Sequence, residues 1–326
     1  MIRIAVDAMG GDHAPCEIVK GAIFASRALD AEIILVGDPA KLEKELCIHK
    51  AKLPIVAASE VIGMNEPPAQ AVRQKKDASV NVAIQLVKDK KADAIVSAGN
   101  TGALMAAALF KLGRIEGVER PAIATEFPLP SGKVLLLDMG ANVDCKPIHL
   151  KQFAIMGELY AKHVMHIKEP RVGLLNIGEE KEKGNELVRE TWPLLEALPL
   201  KFIGNVESKE ILQGKADVIV CDGFVGNLIL KFAESLAGSV FKMFKEEITK
   251  GLMNKVGLAF LMPAIMRLRN KITYDEYGGA PLLGIQGIVY KAHGRAKSRA
   301  IKNAIIQTYE AAKEKVTEKI SQGTFE

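Results

Sequence analysis

Ile2-Arg3-Ile4-Ala5-Val6-Asp7-Ala8-Met9-Gly10-Gly11-Asp12 opens the chain with a short apolar run that stops at an acidic, glycine-rich turn. A near-continuous apolar run suits a strand covered on both faces, and glycine lets the backbone after it turn tightly. The same punctuation recurs along the chain. Glu32-Ile33-Ile34-Leu35-Val36, Ala92-Asp93-Ala94-Ile95-Val96, Val134-Leu135-Leu136-Leu137, Val172-Gly173-Leu174-Leu175 and Asp217-Val218-Ile219-Val220 read as further buried strands. Between them, Ser79 to Val87 runs at helical spacing with Ser79 as its cap, and His149 to His166 also has the helical period. This alternation predicts a three-layer α/β/α fold with a mostly parallel sheet and right-handed crossovers.

The pattern changes only late. From about Phe224 to Lys271 the sequence reads as helix with no strand signal. We expect one α/β unit over residues 1–326, with residues 245–271 as an apolar helical protrusion. No low-complexity linker or internal repeat divides the chain.

Composition narrows the function classes. The chain has 326 residues, 48% of them hydrophobic and 25% charged, so bulk disorder is excluded. Its 44 basic and 39 acidic residues leave a net charge of +5 that is spread thinly, which argues against dedicated nucleic-acid binding. Cys16, Cys47, Cys145 and Cys221 lie far apart with no CxxC pair, so neither a zinc site nor a disulfide framework is expected. The N-terminus reads as a strand rather than a signal peptide. The longest strongly apolar stretch, Val256 to Met266, has eleven residues and contains Pro263. A membrane-spanning helix needs about twenty. A cytoplasmic protein is expected.

Five turns concentrate the chemistry: Asp7 to Asp12, Ser97-Ala98-Gly99-Asn100-Thr101-Gly102, Asp138-Met139-Gly140-Ala141-Asn142-Val143-Asp144, Asn176-Ile177-Gly178-Glu179-Glu180 and Asp222-Gly223-Phe224-Val225-Gly226-Asn227. Each follows a strand and opens a helix. In an open α/β sheet such turns lie at the carboxyl ends of strands, where ligands bind, and the helix start offers N–H groups suited to phosphate. Helix entry alone explains any one of them; five together point to an anion site.

Absent motifs exclude several chemistries. No two glycines are spaced as G-x-G, so the dinucleotide fingerprint is missing, and neither Walker A nor a G-x-S-x-G elbow occurs. His163 and His166 lack an HExxH context. Cys221 stands beside Asp222, which would raise its thiol pKa, and Cys145 has no histidine paired with it by spacing. Lys183-Gly184-Asn185 is a loop-to-helix anion contact or a solvated face. His293-Gly294-Arg295 binds phosphate or caps the final helix.

Taken together, the turns resemble the bacterial phosphate acyltransferase family (PlsX). The resemblance runs from Asp7-Ala8-Met9-Gly10-Gly11-Asp12-His13-Ala14-Pro15 through Ser97 to Ala103, Asp138 to Cys145, Lys183-Gly184-Asn185 and Asp222 to Asn227. Tyr277-Gly278-Gly279-Ala280-Pro281-Leu282-Leu283-Gly284 and His293-Gly294 complete it, so it covers nearly the whole chain in order. It implies transfer of a fatty acyl group from acyl carrier protein to inorganic phosphate. The products are acyl phosphate and free carrier protein, for phospholipid synthesis. It further implies a fold similar to isocitrate dehydrogenase and phosphotransacetylase, a homodimer, no cofactor, no metal, and peripheral attachment to the inner face of the cell membrane.

Such a reaction needs no serine or cysteine intermediate, because phosphate is itself a nucleophile near neutral pH. It needs a phosphate held near the carbonyl and donors for the developing oxyanion. We expect Lys183, Asn185, Asn227 and His293 to serve catalysis, Asn185 and Asn227 by polarising the carbonyl. Gly10, Gly11, Asn100, Thr101, Gly102, Asn142, Gly223 and Gly226 are expected around phosphate and substrate. Asp7, Asp12, Asp138 and Asp222 repel phosphate, so capping and loop bracing suit them better. In the apolar segment from Leu252 to Leu268, Leu252, Val256, Phe260 and Leu261 are candidates for membrane contact; burial in the core or a dimer is the alternative. Three rivals to this function remain at the level of sequence: a phosphotransacetylase-like enzyme acting on acyl-CoA, a nicotinamide-dependent dehydrogenase, and a non-catalytic binding protein.

Overall fold

The computed structural model describes residues 1–129, 132–248, 260–263, 265 and 278–325. In chain order the elements are β1 (Ile2–Asp7), α1 (Cys16–Ser26), β2 (Ala31–Gly37), α2 (Pro39–Ile48), β3 (Ile55–Ala57), α3 (Pro68–Gln74), α4 (Ser79–Lys88), β4 (Ala94–Ser97) and α5 (Thr101–Lys111). Then come β5 (Ala122–Leu129), β6 (Gly132–Leu137), α6 (Pro147–His163), β7 (Arg171–Asn176), α7 (Glu186–Glu196), β8 (Lys201–Glu207), α8 (Ser208–Ile211), β9 (Val218–Val220) and α9 (Gly223–Ile248). The described chain closes with β10 (Gly279–Leu283), β11 (Ile288–Ala292), α10 (Ser298–Lys313) and α11 (Val316–Ser321).

The strands form one eleven-stranded sheet in the order β3-β2-β1-β4-β11-β10-β5-β6-β9-β7-β8. Seven of its neighbour pairs are parallel and three antiparallel, so the sheet is mostly parallel. Side chains alternate between two cores, because successive residues of a strand point to opposite faces. Ile4 and Val6 of β1, Ala94 and Val96 of β4, and Leu135 and Leu137 of β6 pack with α1, α2, α6, α7, α10 and α11. Ala5, Ile95, Val134 and Leu136 pack on the other face with α3, α4, α5 and α8. Both faces are covered, which is why the strands read as unbroken apolar runs.

The three antiparallel pairs lie together at the centre: β11 with β10, β10 with β5, and β5 with β6. Three reversals leave β6, β9, β7 and β8 running opposite to β3, β2, β1, β4 and β11. The strand-end turns therefore fall on two opposite edges of the sheet, about 20 Å apart for a six-residue strand. This corrects the expectation of one shared ligand edge. That expectation needed every strand to run the same way, and β5, β10 and β11 were not among the strands read from sequence.

Two smaller points also differ. Ser79 is the first residue of α4, its preceding residue is Ala78, and no side chain caps that helix. The Ser79 hydroxyl instead supports the buried Asp7 carboxylate. The late helical region begins as expected with α9, whose 26 residues span about 39 Å. Val225, Ile229 and Leu230 seat its start on the core. Phe232, Leu236, Val240, Met243 and Phe244 beyond them are 48–68% exposed. Among the described residues α9 is long and apolar enough to cross a membrane, by length and composition. Counting unbroken apolar runs missed this, because Lys231, Glu234 and Lys242 punctuate it. Leu252, Val256 and most of residues 245–271, where an apolar helical protrusion is expected, lie outside the described residues; Phe260 and Leu261 are exposed.

Candidate functional site

At the first edge, the turns after β1, β4 and β11 interlock. The buried Asp7 carboxylate accepts from Ser97 Oγ at 2.6 Å and from the Met9 N–H at 3.4 Å. Ser97 Oγ accepts from the Gly99 N–H at 3.1 Å. Gly10 lies so close to Gly99 that a Cβ would sit 2.8 Å from the Gly99 nitrogen. The Asp12 N–H donates to the Gly294 carbonyl at 2.8 Å, tying in the β11 turn. Lys291 Nζ reaches the carbonyls of Ala98 and Ala292. Burial pushes its pKa down to about 8, opposed by Asp7 and Asp12.

Of the residues expected here, Asn100 has its side chain committed to structure. Its oxygen caps α5 by accepting from Ala103 N–H at 3.1 Å, and its amide donates to the carbonyls of Gly63, Met64 and Glu66 at 3.0–3.2 Å. Thr101 and Gly102 form the first turn of α5 and are half-buried. His293 is exposed, and its Nδ1 accepts from the Arg295 N–H at 3.1 Å. Gly10, Gly11, Asn100, Thr101, Gly102 and His293 thus share this edge.

The second edge carries Asn142, Lys183, Asn185, Gly223, Gly226 and Asn227. Its anchor is Asp138, buried, with its pKa raised by desolvation. That carboxylate accepts from the N–H groups of Ile123 (3.0 Å), Ala141 (3.1 Å) and Asn142 (2.7 Å), and from Asn142 Nδ2 (2.9 Å). Asn142 also donates to the Pro121 carbonyl at 2.7 Å, so its amide braces the turn. The Gly223 N–H donates to the Asn142 carbonyl at 2.8 Å, which presses the β9 turn against the β6 turn. Gly140, at φ +117°, lies under Asn227, whose side-chain carbons come within 3.3 Å of a Cβ built there. The half-buried Asn227 amide has no hydrogen-bond partner among the described residues. Asn185 caps α7 by accepting from the Val188 N–H at 3.0 Å. Lys183 is exposed and pairs with Glu180 at 3.4 Å.

A cavity of about 480 Å³ adjoins this edge, lined by Met105 and Leu109 of α5, Arg114, Glu119, Arg120 and Pro121 before β5, and Ala141, Asn142, Lys146 and His149 after β6. Its volume is in the range of small-molecule sites. Arg114, Arg120 and Lys146 were not singled out in the sequence. The local signal was a cation immediately before a proline at an element boundary, Arg120-Pro121 before β5 and Lys146-Pro147 at the start of α6, and nothing in one dimension brings these together.

The family described as "Fatty acid synthesis protein" matches residues 2–319. A phosphate acyltransferase of Geobacter sulfurreducens is 51% identical over 324 residues, 98% of this chain and 94% of that protein. One from Moorella thermoacetica is 56% identical, over 93% of this chain and 90% of that protein. The chain belongs to the phosphate acyltransferase family. Among solved structures, a phosphotransacetylase from Streptococcus pyogenes superposes with a TM-score of 0.68 at 16% identity, covering 96% of this chain and 94% of that one. A branched-chain phosphotransacylase from Enterococcus faecalis gives 0.61 at 14% identity, covering 96% and 99%. These two show the shared fold.

Two thiols of this phosphate acyltransferase, Cys145 and Cys221 on the second edge, are poor nucleophiles. Burial, helped by Asp138, pushes Cys145 up to about 12. The fully buried Cys221 is raised too, by desolvation and then by Asp138 and Asp222. A thiol at such a pKa has almost no thiolate at neutral pH.

Proposed function

We propose that this phosphate acyltransferase takes its acyl group from acyl carrier protein and transfers it directly to inorganic phosphate, supplying acyl phosphate for phospholipid synthesis. Its relation to phosphate acyltransferases over nearly the whole chain carries the reading, and the suppressed Cys145 and Cys221 thiols beside the second edge support transfer without an acyl-enzyme there. A phosphate oxygen attacks the thioester carbonyl carbon, the C–O bond forms as the carbonyl becomes an oxyanion, and collapse breaks the C–S bond. The phosphate's proton leaves with the carrier thiol.

In this reading Asn227 donates to the developing oxyanion, beside the glycine turn at Gly223 and Gly226. Lys183 stands on the same edge to draw in anions. Asn185 acts through the helix start that it caps, and Asn142 by holding the turn. Phe224 and Leu228, each 60% exposed, flank the turn and give a long alkyl chain an apolar surface on leaving it. The first edge, with Gly10, Gly11, Asn100, Thr101, Gly102 and His293, is a second anion-binding surface, built on backbone N–H groups rather than on the Asn100 amide. The chain works as a homodimer in the cytoplasm. It meets the inner face of the membrane through the apolar segment that includes Leu252, Val256, Phe260 and Leu261, the last two 83% and 55% exposed.

Thiol release from palmitoyl-acyl carrier protein, measured with and without phosphate and with hydroxylamine trapping of acyl phosphate, tests the donor and the route. Phosphate-dependent release with hydroxamate is expected. Release without phosphate would mean a thioesterase, and activity on acyl-CoA alone would favour the phosphotransacetylase reading. For the membrane, Leu261→Glu is expected to reduce flotation with liposomes; unchanged flotation removes this segment as the anchor.

A further inference from the structure

We propose that the 480 Å³ cavity holds an anion subsite built on Arg120 and Lys146 that takes a phosphate group of a substrate. The identity of that substrate rests on the acyl-transfer reading above; the charge belongs to the cavity itself.

Three cations line it, Arg114, Arg120 and Lys146, against one carboxylate, Glu119. Glu119 is already engaged. His149 Nδ1 accepts from the Lys146 N–H at 3.1 Å, so the ring proton sits on Nε2 and is donated to Glu119 at 3.0 Å. Burial holds the His149 pKa below its ordinary value, so the imidazole is neutral at pH 7. Arg114 donates to the Glu119 main-chain carbonyl. The Arg120 guanidinium and the Lys146 ammonium have no hydrogen-bond or ion-pair partner among the described residues. The Arg120 charge is nevertheless felt at both His149, which lines the cavity, and Cys145 in the turn before α6.

Arg120 and Lys146 line the cavity and are both exposed to solvent, and a guanidinium fork together with an ammonium matches the oxygens of a phosphate group. Asn142 lines the cavity and its carbonyl accepts the Gly223 N–H at 2.8 Å, so the cavity adjoins the turn that opens α9, the helix whose first turn and a half carries Asn227. Two sources supply such a group: free inorganic phosphate, and the phosphodiester joining a carrier protein to its thiol-bearing arm.

The test uses the full chain with Arg120→Gln, Lys146→Gln and the double variant, and checks folding by circular dichroism. KM is measured for phosphate and for palmitoyl-acyl carrier protein, and binding of inorganic phosphate alone by calorimetry. Each single change is expected to raise one KM about tenfold, and the double variant further. A higher KM for phosphate with lost phosphate binding identifies free phosphate. A higher KM for the carrier substrate, with that for palmitoyl-pantetheine unchanged, identifies the phosphodiester. A folded double variant with both KM values within about twofold of the parent overturns the subsite. If the parent binds phosphate, the double variant does not, and neither transfers acyl groups, the subsite stands and the acyl-transfer reading falls. Should the glutamine variants fail to fold, phenylglyoxal labelling of the parent at Arg120 makes the same decision: either substrate protects it, or the proposal is wrong.

Discussion

Gly223→Ala probes the contact on which the second edge depends. A Cβ at this position would sit 2.6 Å from the Asn142 carbonyl oxygen, 2.8 Å from Asp138 Oδ2 and 2.9 Å from the Asn142 nitrogen. Ordinary van der Waals contact begins near 3.4 Å, so the β9 turn must retreat by about 0.8 Å (3.4 − 2.6). Two of the obstructing atoms are main chain, and the carboxylate is pinned by four hydrogen bonds, so neither wall yields freely. Overpacking of this kind costs about 2 kcal/mol, a fall in Tm of roughly 3 °C for a chain of this length. The retreat also carries Asn227 away from its place over Gly140, and a misplacement near 1 Å can cost up to about a hundredfold in turnover. Gly238→Ala is the control: it lies in the exposed part of α9, nothing approaches its Cβ within 4 Å, and it should gain about 0.5–1 kcal/mol. Urea unfolding monitored by far-UV circular dichroism gives stability, and hydroxamate formation gives turnover. If Gly223→Ala unfolds at the parental midpoint with parental turnover, the turns are not packed as described and the reasoning fails.

Asn227→Ala should lower turnover about a hundredfold with little change in the urea midpoint, since its amide has no partner among the described residues; near-normal turnover removes its oxyanion role. Cys145→Ala should stay within about threefold of parental activity, and iodoacetamide at pH 7 should not inactivate the protein, because Cys145 is pushed up to about 12. Lys291 has a folded pKa lowered to about 8 from 10.5, so above pH 8 the unfolded chain binds more protons than the folded one and stability rises with pH. Relative to Lys291→Met, the parent should gain up to about 3 kcal/mol between pH 8 and pH 10.5, read from urea midpoints across that range; a flat difference would show that the ammonium is not desolvated.

The six strands legible in the sequence are those that read as near-continuous apolar runs, such as Val134 to Leu137, where every residue is apolar. The remaining five hide their character. Strand β5 carries Glu126 and Pro128, β10 reads Gly279-Ala280-Pro281, and β8 turns at Gly204 with φ +85°. Those omissions had a functional cost, because β5 and β10 reverse the sheet and divide the glycine turns between two edges. The turns themselves were legible, since Gly10, Gly223 and Gly226 sit where no side chain fits. What the asparagines do was not. Asn100, Asn142 and Asn185 bond to neighbouring main chain or Asp138, whereas the Asn227 amide has no such partner, and residue type alone does not separate these fates.

The centre of the sheet is also its last part to be made. Ile288 lies against Ala94, and Leu282 against Ile123, so β10 and β11 fill a gap between strands synthesised far earlier. Until the hairpin emerges from the ribosome, β4 and β5 each present an open edge that invites pairing with another nascent chain. Closure joins partners distant in sequence and is therefore slow. Chains stalled before residue 279 should aggregate, and chaperone demand should fall once the hairpin of β10 and β11 has emerged.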